Sequence, residues 1–189
     1  ALGVPGPHNF LNALAVVALG RFLGLPFSGI SAALSTFKGV ARRFQLTGEV
    51  NGIKVIDDYA HHPSEIKATL RAARQLNPGR LISVFQPHRY SRTAILAERF
   101  GEAFSDADII IISDIYSAGE EPLPGVSTAL ISSAIEKFEG RKPIYLPSKQ
   151  DIVDYLLPLL QSGDMVLTKG AGDIWEAGVA LVNTLKERQ

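Results

Sequence analysis

The sequence contains no cysteine among its 189 residues. This absence excludes a disulfide framework, a redox-active thiol pair and a thiolate metal site, and it fits a cytoplasmic protein. The chain also lacks an excess of charge, because 19 Lys and Arg residues balance 19 Asp and Glu residues. A net charge of zero gives no overall attraction to nucleic acid or to an anionic membrane. We therefore expect neither as a partner.

Long apolar runs are absent as well. No stretch approaches the roughly 20 apolar residues that a transmembrane helix needs, and the N-terminus lacks the basic start and apolar core of a signal peptide. The nucleotide-binding motifs G-x-x-x-x-G-K-S/T and G-x-G-x-x-G do not occur, and no Ser/His/Asp arrangement stands in a motif context. No short catalytic motif therefore identifies a reaction.

The first 43 residues predict a loop followed by two helices, over 8–23 and 30–37, with no strand between them. Ser28 is the predicted N-cap of the second helix. A helical pair this small cannot bury a core of its own. We therefore expect this segment to be the tail of a larger unit.

From residue 44 onward the pattern alternates between strand and helix. Asn51-Gly52, between two apolar segments, is a strong hairpin signal. Strands are predicted over 44–50, 53–56, 81–85, 108–112, 144–146 and 165–168. Helices are predicted over 63–76, 93–104, 127–138, 149–160 and 174–186. Continuous apolar strands such as 109–112 indicate a sheet covered on both faces. We predict an α/β fold with a mostly parallel sheet, helices on both faces, and an antiparallel hairpin at its start.

Polar loops follow four of the predicted strands, at residues 57–63, 86–92, 114–125 and 169–173. The carboxyl ends of parallel strands meet at one edge of a sheet, so these loops are expected to converge on a binding site. Arg89 and Arg92 suit an anionic ligand, because a guanidinium group holds carboxylate or phosphate through two hydrogen bonds. A solvated loop whose arginines pair with nearby acids is the other interpretation.

The remaining loops also allow two interpretations each. Asp57 and Asp58 either serve a ligand or cap the helix that follows them. His61 and His62 are adjacent on a turn and point in different directions, so ligand binding or capping is favoured over a metal site, and no metal ligand is assigned. The amides of residues 170–172 precede a helix and are able to hold an anion, with a tight turn as the equal alternative.

Several long motifs resemble those of the bacterial Mur ligases. They are GPHNFLNALAVVALG (6–20), FKGVARRF (37–44), NGIKVIDDYAHHPSEIKATL (51–70), FQPHRYSRT (85–93) and IYSAGEEPLPGVS (115–127). The resemblance implies an ATP-dependent, amide-forming ligase of peptidoglycan synthesis. Residues 1–43 then match the end of its central ATPase domain, and residues 44–189 its Rossmann-like C-terminal domain. Residues 85–93 and 118–127 favour the member that adds L-alanine over the member that recycles murein tripeptide.

The resemblance also implies a reaction. ATP phosphorylates the carboxylate of UDP-N-acetylmuramate, and the amine of L-alanine attacks the acyl phosphate to give an amide and free phosphate. The P-loop and the Mg²⁺ ligands of the central domain are not in this sequence. The chain is therefore expected to be a truncated piece that is inactive alone. A non-catalytic module that binds nucleotides or amino acids is the alternative from another class.

Site residues follow from the resemblance, position by position. The residues expected at ATP are His8, Asn9 and Asn12 against adenine, Arg43 at the phosphates with Arg42 as the less favoured neighbour, and Asp58 and Tyr59 near the ribose and base. The residues expected to act on alanine and the acyl phosphate are His61, Arg89 and Arg92. The residues expected to bind substrate are Tyr59, His88, Gly170, Ala171 and Gly172. No general base is assigned, and neither Tyr116 nor Glu120 receives a role.

Overall fold

The computed structural model describes residues 2–4 and 6–188, and one six-stranded sheet organises it. The strands are β1 (Gln45–Val50), β2 (Ile53–Asp58), β3 (Arg80–Phe85), β4 (Ile109–Ile112), β5 (Ile144–Tyr145) and β6 (Asp164–Lys169). Their order across the sheet is β1-β2-β6-β3-β4-β5. β1 runs antiparallel to β2, and the other neighbouring pairs are parallel. The predicted mostly parallel sheet with an initial hairpin is confirmed.

Helices cover both faces of this sheet, as predicted. They are α1 (Pro7–Phe22), α2 (Phe27–Thr36), α3 (Pro63–Arg74), α4 (Tyr90–Phe100), α5 (Thr128–Glu139), α6 (Lys149–Leu156) and α7 (Trp175–Glu187). α3, α4 and α5 share one apolar core with the sheet, and α6 and α7 share the other. Within the described residues, no helix has both the length and the hydropathy that crossing a membrane requires.

The β1–β2 turn shows why the hairpin was readable from the sequence. Asn51 and Gly52 both have positive φ, of 52° and 77°. A two-residue turn of this kind matches the twist of its strands and favours Asn-Gly. β1 then carries an irregularity between Leu46 and Gly48, where a Cβ on the glycine would lie 2.7 Å from Val182 Cγ1 on α7. The close approach of the last helix explains glycine inside this strand.

The largest departures from the predicted helix bounds are in α4 and α6. α4 begins at Tyr90 and not at residue 93, because Arg89 takes a left-handed conformation (φ 73°) at the N-cap position. It ends at Phe100 and not at 104. α6 ends at Leu156 and not at 160, close to Pro158, whose ring removes a backbone donor and clashes with the preceding turn.

The first two helices contact each other more than they contact the sheet. A Cβ on Gly20 of α1 would lie 2.7 Å from Ile30 Cδ1 on α2, so the glycine permits close packing. Most large apolar side chains of the pair are exposed, and Phe22 is 87% exposed. α2 begins after Pro26, which places Ser28 in its first turn and shows that the predicted N-cap is wrong.

Candidate active site

Four loops meet at the carboxyl edge of the sheet. The loop after β6 joins the end of β2, where the Gly170 N–H donates to the Asp58 carbonyl at 3.2 Å. The loop after β4 joins the loop after β3 through Tyr116, whose N–H donates to the Pro87 carbonyl at 2.8 Å. The Arg89 N–H in turn donates to the Tyr116 carbonyl at 2.8 Å. The predicted convergence of the polar loops is therefore confirmed.

A cavity of about 650 Å³ opens between α1, α2 and the start of α3. This volume is in the range of pockets that enclose small organic ligands. Its lining contains every residue predicted only for the nucleotide, namely His8, Asn9, Asn12, Arg43 and Asp58. Residues distant in sequence are thus gathered around one space that offers amides, a cation and a carboxylate.

Asp58 occupies the floor of this cavity and is largely buried. Its Oδ1 accepts a hydrogen bond from the Ala60 N–H at 2.7 Å, and its Oδ2 accepts one from the Phe44 N–H at 2.8 Å. Burial raises the pKa of Asp58, although these two hydrogen bonds and nearby cations oppose the rise. The interpretation of Asp58 as a cap of α3 is wrong, because its carboxylate ties β2 to the segment that precedes β1.

Glu65 supplies the cap of α3 instead. Its Oε2 accepts hydrogen bonds from the His61 N–H at 3.0 Å and the His62 N–H at 3.1 Å. Burial alone would raise the pKa of Glu65, but these hydrogen bonds lower it. The carboxylate also lies 3.9 Å from Arg43 Nη1, and Arg43 remains half-exposed at the cavity. Glu65 thus fixes the histidine turn and borders the cavity at once.

The neighbouring arginines Arg42 and Arg43 have different surroundings. Arg42 Nε donates to Asp57 Oδ2 at 2.9 Å, and its two terminal nitrogens donate to the carbonyls of Gly172 at 3.1 Å and Gly170 at 2.9 Å. Asp57 is therefore a buried partner of Arg42 and not a helix cap. Arg42 holds the loop after β6 in place, which leaves Arg43 as the arginine that faces the cavity.

A histidine cluster lies beside the cavity. The rings of His61 and His88 are 6.0 Å apart, and Tyr59 meets His61 edge-on at 5.5 Å. Arg92 Nη1 lies 3.0 Å from His88 Nδ1. A guanidinium group only donates, so this Nδ1 accepts and the ring proton is assigned to Nε2. Burial, reinforced by Arg92, His61 and Arg89, lowers the pKa of His88, which favours the neutral ring at pH 7.

The His61 ring has the opposite tautomer. Its Nδ1 lies 2.9 Å from the Tyr59 carbonyl and therefore donates to it, so that in the neutral ring Nε2 is an acceptor. His62 turns away, with its Nδ1 2.9 Å from Ser64 Oγ. The two adjacent histidines thus diverge, as predicted. Across residues 2–4 and 6–188, no group of three or more His, Cys, Asp or Glu side chains is placed to hold a metal ion.

Arg89 and Arg92 both lie at the N-terminus of α4, contrary to the prediction that both belong to a loop. Arg89 is the N-cap residue of α4 and its side chain is half-exposed, with Nη1 3.9 Å from Glu120 Oε1. Arg92 lies in the first turn of α4. The helix begins early because Arg89 turns the chain, and its carbonyl accepts the Thr93 N–H at 3.1 Å.

The loop at residues 170–172 is a tightly built turn. The Gly170 N–H is engaged by Asp58, and the carbonyls of Gly170 and Gly172 are engaged by Arg42. An anion site made from all three amides of Gly170, Ala171 and Gly172 is therefore not formed in this conformation. The turn instead shapes the wall beside Tyr116, whose ring stacks on His88 at 5.7 Å between centroids.

Two buried polar residues, each the first residue of a predicted polar loop, received no role in the sequence analysis. Lys169 is fully buried at the end of β6, where its Nζ donates to Ser83 Oγ at 2.6 Å. Burial lowers the pKa of Lys169 to about 7. Gln86 donates through Nε2 to Asp173 Oδ1 at 2.8 Å, and its Oε1 has no hydrogen-bond partner among the described residues. Charged residues are seldom fully buried, so the sequence pattern did not indicate that the Lys169 side chain is buried.

The fold and the site together define an α/β domain with a cavity and, beside it, a cluster of histidines and arginines at the carboxyl edge of its sheet. The chain belongs to the Mur ligase family. Residues 42–172, more than half of the chain, match the family described as "Mur ligase, glutamate ligase domain". The family resemblance noted from the sequence is confirmed.

Individual relatives agree with this assignment. The UDP-N-acetylmuramate–L-alanine ligase of Pelotomaculum thermopropionicum is 69% identical over 188 residues, which cover 100% of this chain and 41% of the relative. The crystal structure of the UDP-N-acetylmuramate-alanine ligase of Thermotoga maritima has a TM-score of 0.82 at 30% identity, and the chain covers 40% of it. A murein peptide ligase from Psychrobacter arcticus has a TM-score of 0.72 at 27% identity, with 38% covered. The chain therefore spans about two-fifths of the length of each of these three proteins.

Gly172→Ala is expected to destabilise the fold by about 1–3 kcal/mol, because added core volume forces its neighbours to move. A Cβ at this position would collide with Gln86 Oε1 and lie 2.5 Å from Tyr116 Cγ. Urea unfolding of the chain measures the effect. Gly29→Ala is the matched control, since its Cβ would meet only Pro26 Cγ at 3.8 Å. Equal stability of the two variants would contradict the tight contact at Gly172.

Proposed function

We propose that this chain is the C-terminal part of an ATP-dependent ligase that joins L-alanine to UDP-N-acetylmuramate in peptidoglycan synthesis. The observation that carries the proposal is the 69% identity, across the whole chain, to a relative of that name. The chain covers only 41% of this relative. The rest of the reaction machinery is therefore assigned to sequence outside these 189 residues, and the chain alone is expected to be inactive.

The proposed division places residues 1–43 at the end of a central ATPase domain and residues 44–189 in the C-terminal domain. The family match begins at residue 42, which supports a boundary there. The largely exposed apolar side chains of α1 and α2 support it too, because such a pair needs further partners. The cavity then lies where the two domains meet.

ATP is the proposed occupant of this cavity, and it would supply the phosphoryl group that activates the sugar carboxylate. The amides of Asn9 and Asn12 are able both to donate to and to accept from the edge of adenine. Arg43 offers a cation for the phosphates, and Asp58 keeps lone pairs for a ribose hydroxyl. Mg²⁺ ligands are proposed in the rest of the protein, since the described residues offer no suitable cluster.

The histidine cluster is the proposed site for L-alanine and the acyl phosphate. The alanine nitrogen forms a bond to the acyl carbon, the bond from that carbon to the phosphate oxygen breaks, and phosphate leaves with the electron pair. His61 Nε2 is the acceptor placed to take the amine proton. His88 Nε2–H and Arg92 are donors that stabilise negative charge as it develops. Arg89 is assigned to a carboxylate or phosphate group, and Tyr59 forms one wall.

The proposed location is the cytoplasm, where the nucleotide-linked substrates of this reaction occur. A ligase that attaches murein tripeptide is the second candidate, because the Psychrobacter arcticus murein peptide ligase shares the fold at 27% identity. The two candidates differ in the amine that they accept. The test therefore has to offer both amines to the same protein.

The test uses a chimera that joins the unmatched N-terminal portion of the Pelotomaculum thermopropionicum ligase to this chain. Phosphate release is followed with ATP, Mg²⁺ and UDP-N-acetylmuramate, with L-alanine or murein tripeptide offered in turn. We expect turnover with L-alanine by the chimera and none by the 189-residue chain. The intact Pelotomaculum ligase is the positive control. Turnover with tripeptide only would replace the first candidate by the second, and ligation by the chain alone would refute the proposed division.

A further inference from the structure

The N-terminus of α4 is capped by a distant loop and not by its own sequence. The N-cap residue Arg89 makes no side-chain hydrogen bond to the helix, although the first N–H groups of a helix need acceptors from outside it. Glu120 supplies them from 29 residues downstream. Its Oε2 accepts the Ser91 N–H at 3.0 Å, and its Oε1 accepts the Ser91 hydroxyl at 2.6 Å.

The loop that carries Glu120 is anchored on both sides of Arg89. Tyr116 exchanges backbone hydrogen bonds with this segment, donating to the Pro87 carbonyl and accepting from the Arg89 N–H, each at 2.8 Å. Its ring also stacks on His88. The contacts of Glu120 with Ser91 complete the enclosure. A single loop thus contacts the chain before and after the turn that orients Arg89.

The backbone turn at Arg89 requires stabilising contacts. Arg89 has a φ of 73°, a left-handed conformation that costs a residue other than glycine free energy and persists only when its surroundings enforce it. The carboxylate of Glu120 also lies 3.9 Å from Arg89 Nη1, so it attracts the side chain as well as fixing the backbone beyond it. The two hydrogen bonds from Ser91 lower the pKa of Glu120, which keeps it ionised at neutral pH.

We infer that Glu120 is a positioning residue for the amino-acid substrate: by capping α4 from the loop after β4, it fixes where Arg89 and Arg92 present their guanidinium groups. Arg92 lies in the same first turn and reaches His88 Nδ1 at 3.0 Å, so fraying of this turn would disturb both arginines and the histidine together. The nucleotide cavity is lined by other elements. The inference rests on the proposed function for the identity of the substrate, but the cap itself does not.

The first test measures amide hydrogen exchange at Ser91 in the 189-residue chain, and it is independent of any activity. Glu120→Ala is expected to speed exchange of this amide on the order of tenfold, the loss that a missing cap predicts. Glu121→Ala is the matched control, because this neighbouring glutamate is exposed. Glu120→Gln keeps an acceptor and should give an intermediate rate. Unchanged protection in Glu120→Ala would overturn the cap.

The second test measures steady-state kinetics in the chimera. Glu120→Ala is expected to raise the KM for L-alanine about tenfold and to leave the KM for ATP unchanged, whereas Glu121→Ala changes neither. Equal increases in both KM values, or faster Ser91 exchange with an unaltered alanine KM, would overturn the positioning role. A chimera that ligates no alanine with the unaltered chain would count against the proposed function, while the exchange result would still judge the cap.

Discussion

Replacing Lys169 by methionine is expected to stabilise the folded chain by about 2–4 kcal/mol at pH 6. Lys169 is fully buried, its Nζ bonds Ser83 Oγ, and among the described residues no carboxylate lies within ion-pair distance of it. Burial lowers its pKa from 10.5 to about 7, with Asp58 opposing the fall. Burying this ammonium group therefore destabilises the fold, and a methionine of similar shape removes that destabilisation.

The sign of the effect follows from proton binding. Between pH 7 and pH 10.5 the unfolded chain binds a proton at Lys169 that the folded chain has released, so stability rises with pH across this interval. Below pH 7 the lysine is charged in both states, and the full cost of burying the charge applies. The difference of about 3.5 between its unfolded and folded pKa values corresponds to about 5 kcal/mol. Loss of the hydrogen bond to Ser83 offsets about 1–3 kcal/mol of that gain. The advantage of methionine should vanish near pH 9.5.

Urea unfolding at pH 6, 8 and 9.5 checks this dependence. Lys67→Met is the control, since its side chain is 59% exposed and its replacement should change stability little at any of these pH values. An effect of Lys169→Met that is the same at all three pH values, or a destabilisation at pH 6, would contradict the account of a costly buried cation.

A residue that destabilises the fold at this place indicates a functional role. Lys169 pairs in register with Asp58 across β6 and β2, and its charge opposes the rise in the pKa of Asp58 that burial causes. Sites that bind ligands often keep groups that lower stability. We therefore expect Lys169→Met to stabilise the fold. We also expect it to raise the pKa of Asp58, the carboxylate on the floor of the cavity.

The fold was predictable because its signals are local. The Asn51-Gly52 turn and the buried strands such as Ile109–Ile112 depend on residues a few positions apart. The bounds of α4 were not predictable in the same way, because Arg89 is held in a left-handed conformation by Tyr116 and the helix is capped by Glu120. Both of these contacts come from a loop that sequence patterns describe only as long and irregular.

The site was predictable only in part, for the same reason. The family resemblance proposed the residues that line the cavity, and the structure gathers them around one space. Residue type alone did not separate Arg42 from Arg43, which are neighbours with the same chemistry. Their difference depends on partners more than a hundred positions away, since Arg42 bonds the carbonyls of Gly170 and Gly172. The burial of Lys169 likewise depends on how β6 packs between β2 and β3.

Arg42→Ala is expected to destabilise the chain by about 3–5 kcal/mol, because it leaves the buried charge of Asp57 without its cation. The Asp57 side chain is 6% exposed and would keep only Thr168 Oγ1, at 2.9 Å, as a side-chain partner. The carbonyls of Gly170 and Gly172 would lose their donors as well. Arg42→Lys retains the charge but not the three-way contact, so an intermediate loss is expected.

Arg43→Ala is the matched comparison. We predict that the two variants differ in stability and in the KM for ATP. Arg43 is half-exposed and lies 3.9 Å from Glu65, an arrangement worth at most about 1 kcal/mol. Its loss should leave urea unfolding nearly unchanged and raise the KM for ATP of the chimera at least about tenfold, as expected when a phosphate-binding cation is removed. If Arg43→Ala instead lowered stability as much as Arg42→Ala, or left the KM for ATP unaltered, the assignment of Arg42 to the fold and of Arg43 to the ligand would be wrong.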